Sequence, residues 1–182
     1  MDRVEIIKRI ARRMNVSSYL EIGVNDGYNF LRIPCWNKVG VDPSFRITSK
    51  YKFKRTLLNP TNVGNRYFAM TSDKFFGEYA ADVFPEGIDL VFIDGLHTFR
   101  QSLIDAQNSL KFLNRWGVIV MHDCSPPDES AAFAAETLDK AKEKNPFGWK
   151  GNWCGDVWKT IPYLRAADPT LEITVLDCDY GV

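Results

Sequence analysis

The amino-acid sequence predicts a doubly wound α/β fold, in which a mostly parallel sheet carries helices on both of its faces. Short apolar segments typical of buried strands alternate with amphipathic helical segments along the chain, as in repeated β-α-β units. The length of 182 residues is typical of one domain. A hydrophobic content of 45% is enough for an ordinary core. We therefore expect a single domain over residues 1–182.

The first half of the chain is predicted to contain an opening helix, three strands and a second helix. Apolar side chains at helical spacing from Val4 to Met14 follow Asp2, a suitable N-cap residue, and predict the first helix. The second helix, capped by Thr71 or Ser72, is expected after the third strand. The strands are predicted in SSYLEIGV, WNKVGVDP and NRYFAM, and the second helix in TSDKFFGEYAADVF.

The second half is predicted to contain three strands and three helices. The segment IDLVFIDG is expected to form the fourth strand. Phe99, Leu103, Ala106, Leu110 and Leu113 recur at steps of four and three, so a helix is expected there. The remaining elements are a strand in GVIVMHD, helices in DESAAFAAETLDKAKEK and DVWKTIPYLRAA, and a sixth strand in LEITVLD.

The overall charge and the cysteine pattern argue against several classes of protein. The 23 basic and 23 acidic residues cancel, which disfavours a dedicated binder of nucleic acid or of membrane surfaces. No apolar segment approaches the roughly 18 residues of a membrane-spanning helix, and the charged N-terminal segment does not resemble a signal peptide. The four cysteines include no C-x-x-C pair, so we expect reduced thiols in a cytoplasmic protein and neither a zinc nor a redox motif.

Four acidic residues coincide with the predicted ends of strands. The carboxyl ends of parallel strands share one edge of a sheet, and α/β proteins bind their ligands at that edge. An unpaired charge at the end of a buried strand is costly, so four such charges favour a ligand site over isolated caps or salt bridges. The four residues are Glu21, Asp42, Asp94 and Asp123.

The loop after the first strand, EIGVNDG, distinguishes between two kinds of nucleotide site. The dinucleotide-binding pattern G-x-G-x-x-G fails, because Asn25 and Tyr28 occupy its second and third glycine positions. The pattern E/D-x-G-x-G-x-G fits Glu21, Gly23 and Gly27, and departs only at Asn25, a residue type that tolerates left-handed backbone angles. In this pattern the loop resembles the first motif of class I S-adenosylmethionine-dependent methyltransferases.

Further segments extend this resemblance over roughly Tyr19 to Cys124. VGVDPS, TSDKFF, FIDGLHTF and VIVMHDC follow in the order expected of that superfamily. Together with GDVWK, they are most similar to a small-molecule O-methyltransferase-like branch, related to macrocin O-methyltransferase and cephalosporin-hydroxylase-like proteins. The resemblance implies a Rossmann-like fold, S-adenosylmethionine as the cofactor, and methyl transfer to a hydroxyl of a small molecule such as a sugar or a secondary metabolite.

The same resemblance gives the expected cofactor-binding residues. The glycine-bearing loop lets the backbone approach the methionine part of the cofactor, and Glu21 either organises that loop or faces the cofactor's ammonium group. Asp42 can accept hydrogen bonds from both ribose hydroxyls, and Ser72 and Asp73 are expected near the adenine. The full set is Glu21, Gly23, Asn25, Gly27, Asp42, Ser72, Asp73 and Asp94.

The expected catalytic residues are Asp94, His97 and Asp123, around the transferred methyl group. With an ordinary pKa of about 6.5, His97 is the best-placed general base, and a role as a helix cap is the alternative. His122 lies inside the fifth strand and is expected to be a packed or hydrogen-bonded core histidine.

A divalent metal is a second cofactor that the sequence leaves open. In catechol O-methyltransferase, acids at the positions of Asp94 and Asp123, followed by an asparagine, hold magnesium against two substrate oxygens. Here Cys124 takes the place of that asparagine, and a thiol is a poor ligand for magnesium.

The chain departs from the family pattern at its first crossover and at its end. Only seven residues separate Gly27 from Cys35, which leaves room for an unusually short first crossover helix. The sequence ends at DCDYGV, where the family's sheet continues into a seventh, antiparallel strand. That strand is therefore expected to be absent or truncated.

Two further segments have open interpretations. FRITSKYKFKR contains Arg46, Lys50, Lys52, Lys54 and Arg55, which suit either a solvated face or an anionic partner such as a phosphorylated sugar or a nucleic-acid backbone. WKGNWCGDVWK contains three tryptophans and two glycines, and is either a substrate lid or a packed loop at a helix entry.

Two rival functions stand beside the methyltransferase interpretation. One is a non-catalytic cofactor-binding or interaction domain of the same fold; the missing strand favours it, and the intact Glu21, Asp42 and Asp94 argue against it. The other is an RNA-modifying methyltransferase, which the basic segment favours and the zero net charge opposes. We expect a small-molecule substrate and neither a nucleic-acid nor a membrane partner. Whether the chain forms a homo-oligomer is left open.

Overall fold

The computed structural model describes residues 1–182 and contains a five-stranded sheet in which every pair of neighbouring strands is parallel. The strand order is β3-β2-β1-β4-β5, so the chain starts in the middle and winds outward in both directions. The strands are β1 Ser18–Ile22, β2 Asn37–Val41, β3 Arg66–Phe68, β4 Ile88–Ile93 and β5 Leu113–Met121. The predicted doubly wound, Rossmann-like architecture is confirmed.

Seven α-helices surround the sheet, and side-chain caps fix where several of them begin. The carboxylate of Asp2 accepts a hydrogen bond from the backbone of Glu5 at the start of the first helix, and Thr71 and Thr98 cap later helices in the same way. The helices are α1 Arg3–Met14, α2 Ser49–Leu58, α3 Ser72–Glu78, α4 Ala80–Val83, α5 Phe99–Phe112, α6 Leu138–Lys144 and α7 Thr160–Ala167. Short 3₁₀ turns span Phe30–Arg32, Pro60–Gly64 and Val157–Lys159.

The sheet separates two buried clusters, one on each face. Because side chains alternate along a strand, Leu20 and Ile22 of β1 belong to the cluster that packs against α3, α5 and α7. Tyr19 of the same strand belongs to the opposite cluster, which packs against α1 and the 3₁₀ turn that begins at Phe30. Burial on both faces explains why the central strands are almost wholly apolar.

The expected sixth strand is wrong. Leu171, Ile173 and Val175 do alternate toward the core, as the sequence pattern indicates. The segment nevertheless forms no ladder with the sheet, because the backbone of Leu176 pairs with that of Val182 at the end of the chain. Alternation therefore predicted the direction of the side chains and not a strand partner.

Two helix predictions also need correction, and one helix was not predicted. The helix expected from Asp128 onward begins only at Leu138, because the Asp128 carboxylate accepts bonds from Ser130 and Ala131 and holds a turn instead. The helix expected in TSDKFFGEYAADVF is divided into α3 and α4 at Tyr79. The basic segment, for which no element was expected, forms α2. None of the helices is both long enough and apolar enough to cross a membrane.

Candidate active site

The loops that follow the strands enclose a cleft of about 850 Å³ at the carboxyl edge of the sheet. Each of the five strands contributes at least one side chain or backbone segment through the loop or helix after it. The predicted residues that line the cleft are Gly23, Asn25, Asp42, Ser72, Asp73, Asp94, His97 and Asp123. The fold therefore brings together most of the residues expected from the sequence, and Glu21 and Gly27 lie outside the cleft lining.

The loop after β1 approaches the cleft through residues with left-handed backbone angles. Gly23 has a φ of +84°, and a Cβ atom at this position would collide with the backbone carbonyl of Asp94. Asn25 has a φ of 48°, which asparagine tolerates better than most residues. Gly27 packs against Ile47 and Leu31 behind the loop. Asparagine at position 25 thus adopts the left-handed angles that the usual glycine is suited to.

Asp42 joins the loops that follow β1 and β2. Its Oδ2 accepts a hydrogen bond of 2.7 Å from the backbone of Asn25, and its Oδ1 accepts one of 2.7 Å from the backbone of Ser44. The side chain is nearly buried but lines the cleft. Each carboxylate oxygen has a further lone pair, so Asp42 can hold the loop and still accept bonds from a ligand.

Glu21 is buried outside the cleft lining, so of its two expected roles the contact with the cofactor's ammonium group is wrong, and the organisation of the loop stays a prediction. Glu21 shares a strand face with Tyr19, whose hydroxyl donates a 2.5 Å hydrogen bond to Oε2 of Glu21. Burial, partly offset by this bond, raises the pKa of Glu21 to about 8. Lys38 lies on the same side of the sheet, where its ammonium group donates to the carbonyls of Phe30 and Ile33. The acid belongs to a buried polar network beneath the loop.

A hydrogen-bonded group of polar side chains joins α3 to α5 at one end of the cleft. The amide of Gln101 donates to Ser72, Asp73 and Asp105 over distances of 3.0–3.3 Å. Asp105 is almost fully buried, and burial raises its pKa to about 6. Neither Gln101 nor Asp105 was predicted as a site residue, because a polar residue within a helical pattern normally indicates its solvated face.

Asp94, at the end of β4, lies among three basic side chains. Its Oδ1 is 3.3 Å from Nδ1 of His122 and 3.6 Å from Nε2 of His97, and its Oδ2 is 3.8 Å from Nε of Arg3. Burial alone would raise the pKa of Asp94, but the two nearby histidines outweigh it and hold that pKa well below its usual range. The protein's own cations therefore stabilise the charge that ends this apolar strand.

His97 lies between the two acids at the ends of β4 and β5. Its Nδ1 is 2.9 Å from the carbonyl oxygen of Trp153 and 3.1 Å from Oδ2 of Asp123. Burial would lower the pKa of His97, but the nearby carboxylates of Asp94 and Asp123 raise it. The N-cap of α5 is Thr98, whose hydroxyl accepts from the backbone of Gln101. His97 is therefore not the residue that caps this helix.

His122 is buried, as expected for a core histidine, but it also belongs to the site. Its Nδ1 lies 3.2 Å from Asp123 in addition to its contact with Asp94. These two carboxylates raise the pKa of His122 to about 10, against the effect of burial. Arg3, which can only donate, lies 3.1 Å from Nε2 and opposes protonation of that nitrogen. Where the ring is neutral, this contact favours the proton on Nδ1, directed at the acids, and leaves the Nε2 lone pair to accept from Arg3.

The two ends of the chain meet at the rim of the cleft. Nη1 of Arg3, in the first turn of α1, donates to both carboxylate oxygens of Asp179 at 3.1–3.2 Å. The backbone of Cys124 donates to Gly181, so the terminal segment crosses the loop after β5. Tyr180 lines the cleft with its ring edge-on to His122. No sequence motif marks the contact of Arg3 with Asp179, because these residues are 176 positions apart.

The tryptophan-rich segment both packs against the protein and lines the cleft. The ring of Trp153 stacks on that of His97, with the centroids 5.3 Å apart. The carboxylate of Asp156 accepts a 2.6 Å bond from the backbone of Phe99 and fastens the segment to the start of α5. Of the basic segment, only Arg46 lines the cleft, so the four basic residues of α2 are not part of the site.

Comparisons with known proteins agree with this geometry. A family model described as a methyltransferase domain matches residues 20–124, more than half of the chain. None of the curated proteins matches. A structure from Staphylococcus aureus, assigned as a caffeoyl-CoA O-methyltransferase, is similar with a TM-score of 0.64 and 16% identity, over 100% of this chain and 81% of the other.

Two ligand-bound structures have the same fold. The methyltransferase PaMTH1 of Podospora anserina, bound to S-adenosylhomocysteine, gives a TM-score of 0.59 at 16% identity, over 98% of this chain and 75% of the other. The second is TomG of Streptomyces achromogenes, an O-methyltransferase involved in tomaymycin synthesis, in complex with S-adenosylmethionine. It has a TM-score of 0.56 at 13% identity, over 96% of this chain and 71% of the other. The family match confirms the resemblance to methyltransferases seen in the sequence, and the similar structures share the fold: the chain belongs to the methyltransferase-domain family.

Proposed function

We propose that this protein binds S-adenosylmethionine in the cleft and transfers its methyl group to a hydroxyl of a polar small molecule. The observation that supports this most strongly is the convergence of the Gly23 loop, Asp42 and the Asp94–His97 pair on one cleft. The complexes of TomG with S-adenosylmethionine and of PaMTH1 with S-adenosylhomocysteine support the choice of cofactor.

The residues present fit this cofactor. The left-handed backbone at Gly23 and Asn25 lets the loop pass close to the backbone of Asp94 while it lines the cleft, where its backbone can contact a ligand. Asp42 has free lone pairs for the two ribose hydroxyls, each charged hydrogen bond contributing about 1.5–3 kcal/mol. Ser72 and Asp73, on the first turn of α3, are the proposed contacts of the adenine.

The cofactor supplies an electrophilic methyl group, and the chain's own residues orient the acceptor and take its proton. Because the carbonyl of Trp153 and the carboxylate of Asp123 both accept, Nδ1 of His97 bears a proton. In the neutral ring Nε2 then keeps its lone pair, and this atom accepts the proton of the acceptor hydroxyl. Asp123 orients the ring, and Asp94 would offer a negative charge to the positively charged sulfonium of the cofactor. A positioned base of this kind contributes about 10²–10⁴-fold.

The walls of the cleft favour a polar acceptor. Arg3, Asn152 and Tyr180 present donors and acceptors on the side of the cleft where the two chain ends meet. Trp153 adds an aromatic surface beside His97. A sugar hydroxyl or a polar secondary metabolite fits this combination, because its hydroxyls can pair with the polar groups while its carbon face packs on the ring.

A divalent cation is the alternative way to activate the acceptor. Ligand atoms of Asp94, His97 and Asp123 all lie within 4.8 Å of one another, and two carboxylates with one imidazole form an acceptable donor set. Cys124 is buried and lies outside the cleft lining, and a thiol is a poor ligand for magnesium, so it is not the fourth ligand. A metal in this position would need a deprotonated His97 and would act as a Lewis acid on the acceptor oxygen.

Ligand-dependent thermal unfolding tests the proposed cofactor. S-adenosylhomocysteine should raise the melting temperature, because the loop after β1 fits this cofactor and breaks the dinucleotide pattern; NAD should not raise it. Equal shifts with both compounds, or a shift with NAD alone, would refute the proposal. Once an acceptor is found, loss of turnover in EDTA with recovery on adding Mg²⁺ or Mn²⁺ would assign the activation to a metal rather than to His97.

A further inference from the structure

The charge of this protein is unevenly distributed, although its sum is zero. Residues 43–72 contain six basic residues and no acidic residue. The rest of the chain carries the compensating negative charge. Of these six basic residues, only Arg46 lines the cleft. Four of the others lie on α2, outside the cleft lining. The basic residues are Arg46, Lys50, Lys52, Lys54, Arg55 and Arg66.

The helix α2 exposes its large apolar side chains instead of burying them. Phe53, Leu57 and Leu58 are 65–68% exposed, and no residue of α2 is buried. Together with Lys50 and Lys54 they occupy positions i, i+3, i+4, i+7 and i+8, which form one continuous stripe along a helix. We name these five residues the α2 stripe. The apolar side chains of this stripe face solvent, whereas those of an ordinary surface helix face the core.

Contacts on the other side hold α2 in place with the stripe turned outward. The hydroxyl of Tyr51 accepts a 2.6 Å bond from Arg32, and the carbonyl of Arg55 accepts one from Asn62. The 3₁₀ turn that follows carries Val63, which is 77% exposed. The same turn ends at Gly64, which packs against the backbone of Trp36, another exposed aromatic residue. The apolar surface therefore extends beyond the helix itself.

The two lysines of the α2 stripe have no carboxylate within 4.0 Å across residues 1–182. Elsewhere on the surface, lysines such as Lys74, Lys140 and Lys150 do have acidic partners. Lys50 and Lys54 are thus free to pair with charges outside the protein. An anionic partner satisfies them, and a partner with an apolar layer also covers Phe53 and Leu57.

The combination favours a lipid surface over other anionic partners. A second copy of this chain, joined face to face, would bring like charges together. Nucleic acid would neutralise the lysines, but aliphatic side chains such as Leu57, Leu58 and Val63 offer no stacking surface for bases. A bilayer with anionic headgroups accepts both parts, since lysines pair with the headgroups while apolar side chains enter the acyl boundary.

We infer that the α2 stripe docks on a bilayer that contains anionic lipids. This goes beyond the proposed methyl transfer and does not depend on it. It also departs from the expectation drawn from the overall charge, because that sum conceals a basic surface in residues 43–72. Each lysine near an anionic bilayer contributes about 1 kcal/mol, or roughly a fivefold change in partitioning.

Vesicle sedimentation tests the inference with the full-length chain. The protein should sediment with vesicles of phosphatidylcholine and phosphatidylglycerol, remain in solution with phosphatidylcholine alone, and dissociate as salt is raised. The double variants Lys50→Glu/Lys54→Glu and Phe53→Ser/Leu57→Ser should each weaken partitioning at least tenfold. Since all four side chains are exposed, both variants should retain the melting temperature of the parent protein.

Two matched variants serve as controls. Lys111→Glu/Lys144→Glu makes the same change in net charge at exposed positions outside the α2 stripe, and Phe147→Ser removes a fully exposed aromatic ring elsewhere. Both should partition like the parent protein. The inference is refuted if anionic vesicles do not bind the protein, if the controls lose as much binding as the α2 variants, or if Phe53→Ser/Leu57→Ser binds normally. Tighter binding to a single-stranded oligonucleotide than to anionic vesicles would refute it in favour of nucleic acid.

Discussion

Nδ1 of His97 lies 2.9 Å from the carbonyl oxygen of Trp153. This contact orients the imidazole ring and, together with Asp123, fixes which nitrogen bears the proton. The nitrogen left to act as a base, Nε2, lies on the side of Asp94, 3.6 Å from its carboxylate. A residue in the tryptophan-rich segment, 56 positions away in the sequence, thereby orients the proposed base.

Removal of His97 should affect turnover and leave cofactor binding intact. We expect His97→Ala to lower kcat by about 10²-fold or more with an identified acceptor, because the variant has no base at the methyl-transfer site. The Kd of S-adenosylhomocysteine, measured by calorimetry, should stay nearly unchanged. The control is Thr98→Ala, which removes the N-cap of α5 and should cost about 1 kcal/mol of stability without a change in kcat. Normal turnover of His97→Ala would mean that the base lies elsewhere.

Removal of the Asp42 carboxylate should weaken cofactor binding and also loosen the loop. Asp42→Ala should cost on the order of 2–4 kcal/mol in the affinity for S-adenosylhomocysteine, through the loss of two charged hydrogen bonds to the ribose. Stability should fall as well, because Asn25 and Ser44 lose their acceptor. Asp26→Ala is the matched control: it removes an exposed acid of the same loop that lies outside the cleft. Equal affinities of the two variants in calorimetry would show that Asp42 does not bind the ribose.

Gly23 should tolerate no side chain. A Cβ atom would strike the backbone of Asp94, and φ is +84°, so Gly23→Ala should lower the free energy of unfolding by about 2–4 kcal/mol. Gly77, inside α3, has open space around the position of a Cβ atom. Gly77→Ala should therefore stabilise the protein slightly, as expected in a helix. Urea unfolding of both variants tests this, and a Gly23→Ala protein as stable as the parent would contradict the described loop.

The stability of the protein without ligand should fall as pH rises from about 4 to 6, in part because of Asp105. Burial raises the pKa of this carboxyl to about 6, so between its unfolded and folded pKa values the folded state holds a proton that the unfolded state releases. Asp105→Asn should therefore gain roughly 1–3 kcal/mol over the parent protein at pH 7, and little at pH 4. A stability difference that is independent of pH would show that Asp105 ionises normally.

The sequence predicted the sheet and the cleft better than the walls of the cleft. The segments Asn37–Val41 and Ile88–Ile93 are almost wholly buried, so their pattern was unambiguous and placed Asp42 and Asp94 at one edge. The side chain of Glu21 was misjudged, because a residue at the end of a strand can point to either face of the sheet. Because residues two positions apart point to the same face of a sheet, the spacing of Glu21 from the core residue Tyr19 could have placed it correctly.

The remaining errors concern contacts between distant parts of the chain. Arg3 and Asp179 meet at the rim although 176 positions separate them, and no local pattern marks such a pair. The segment from Leu171 to Val175 alternates like a strand, but its partner is decided by where the end of the chain folds back. Gln101 and Asp105 were overlooked because their polar side chains look solvated in a helical pattern.

A crystal structure of the protein with S-adenosylhomocysteine tests the central claim most directly. The account predicts that the ribose hydroxyls contact Asp42, that the adenine lies beside Ser72 and Asp73, and that the sulfur faces Asp94 and His97. A ligand bound outside this cleft, or bound inside it with its sulfur directed away from Asp94 and His97, would contradict the account.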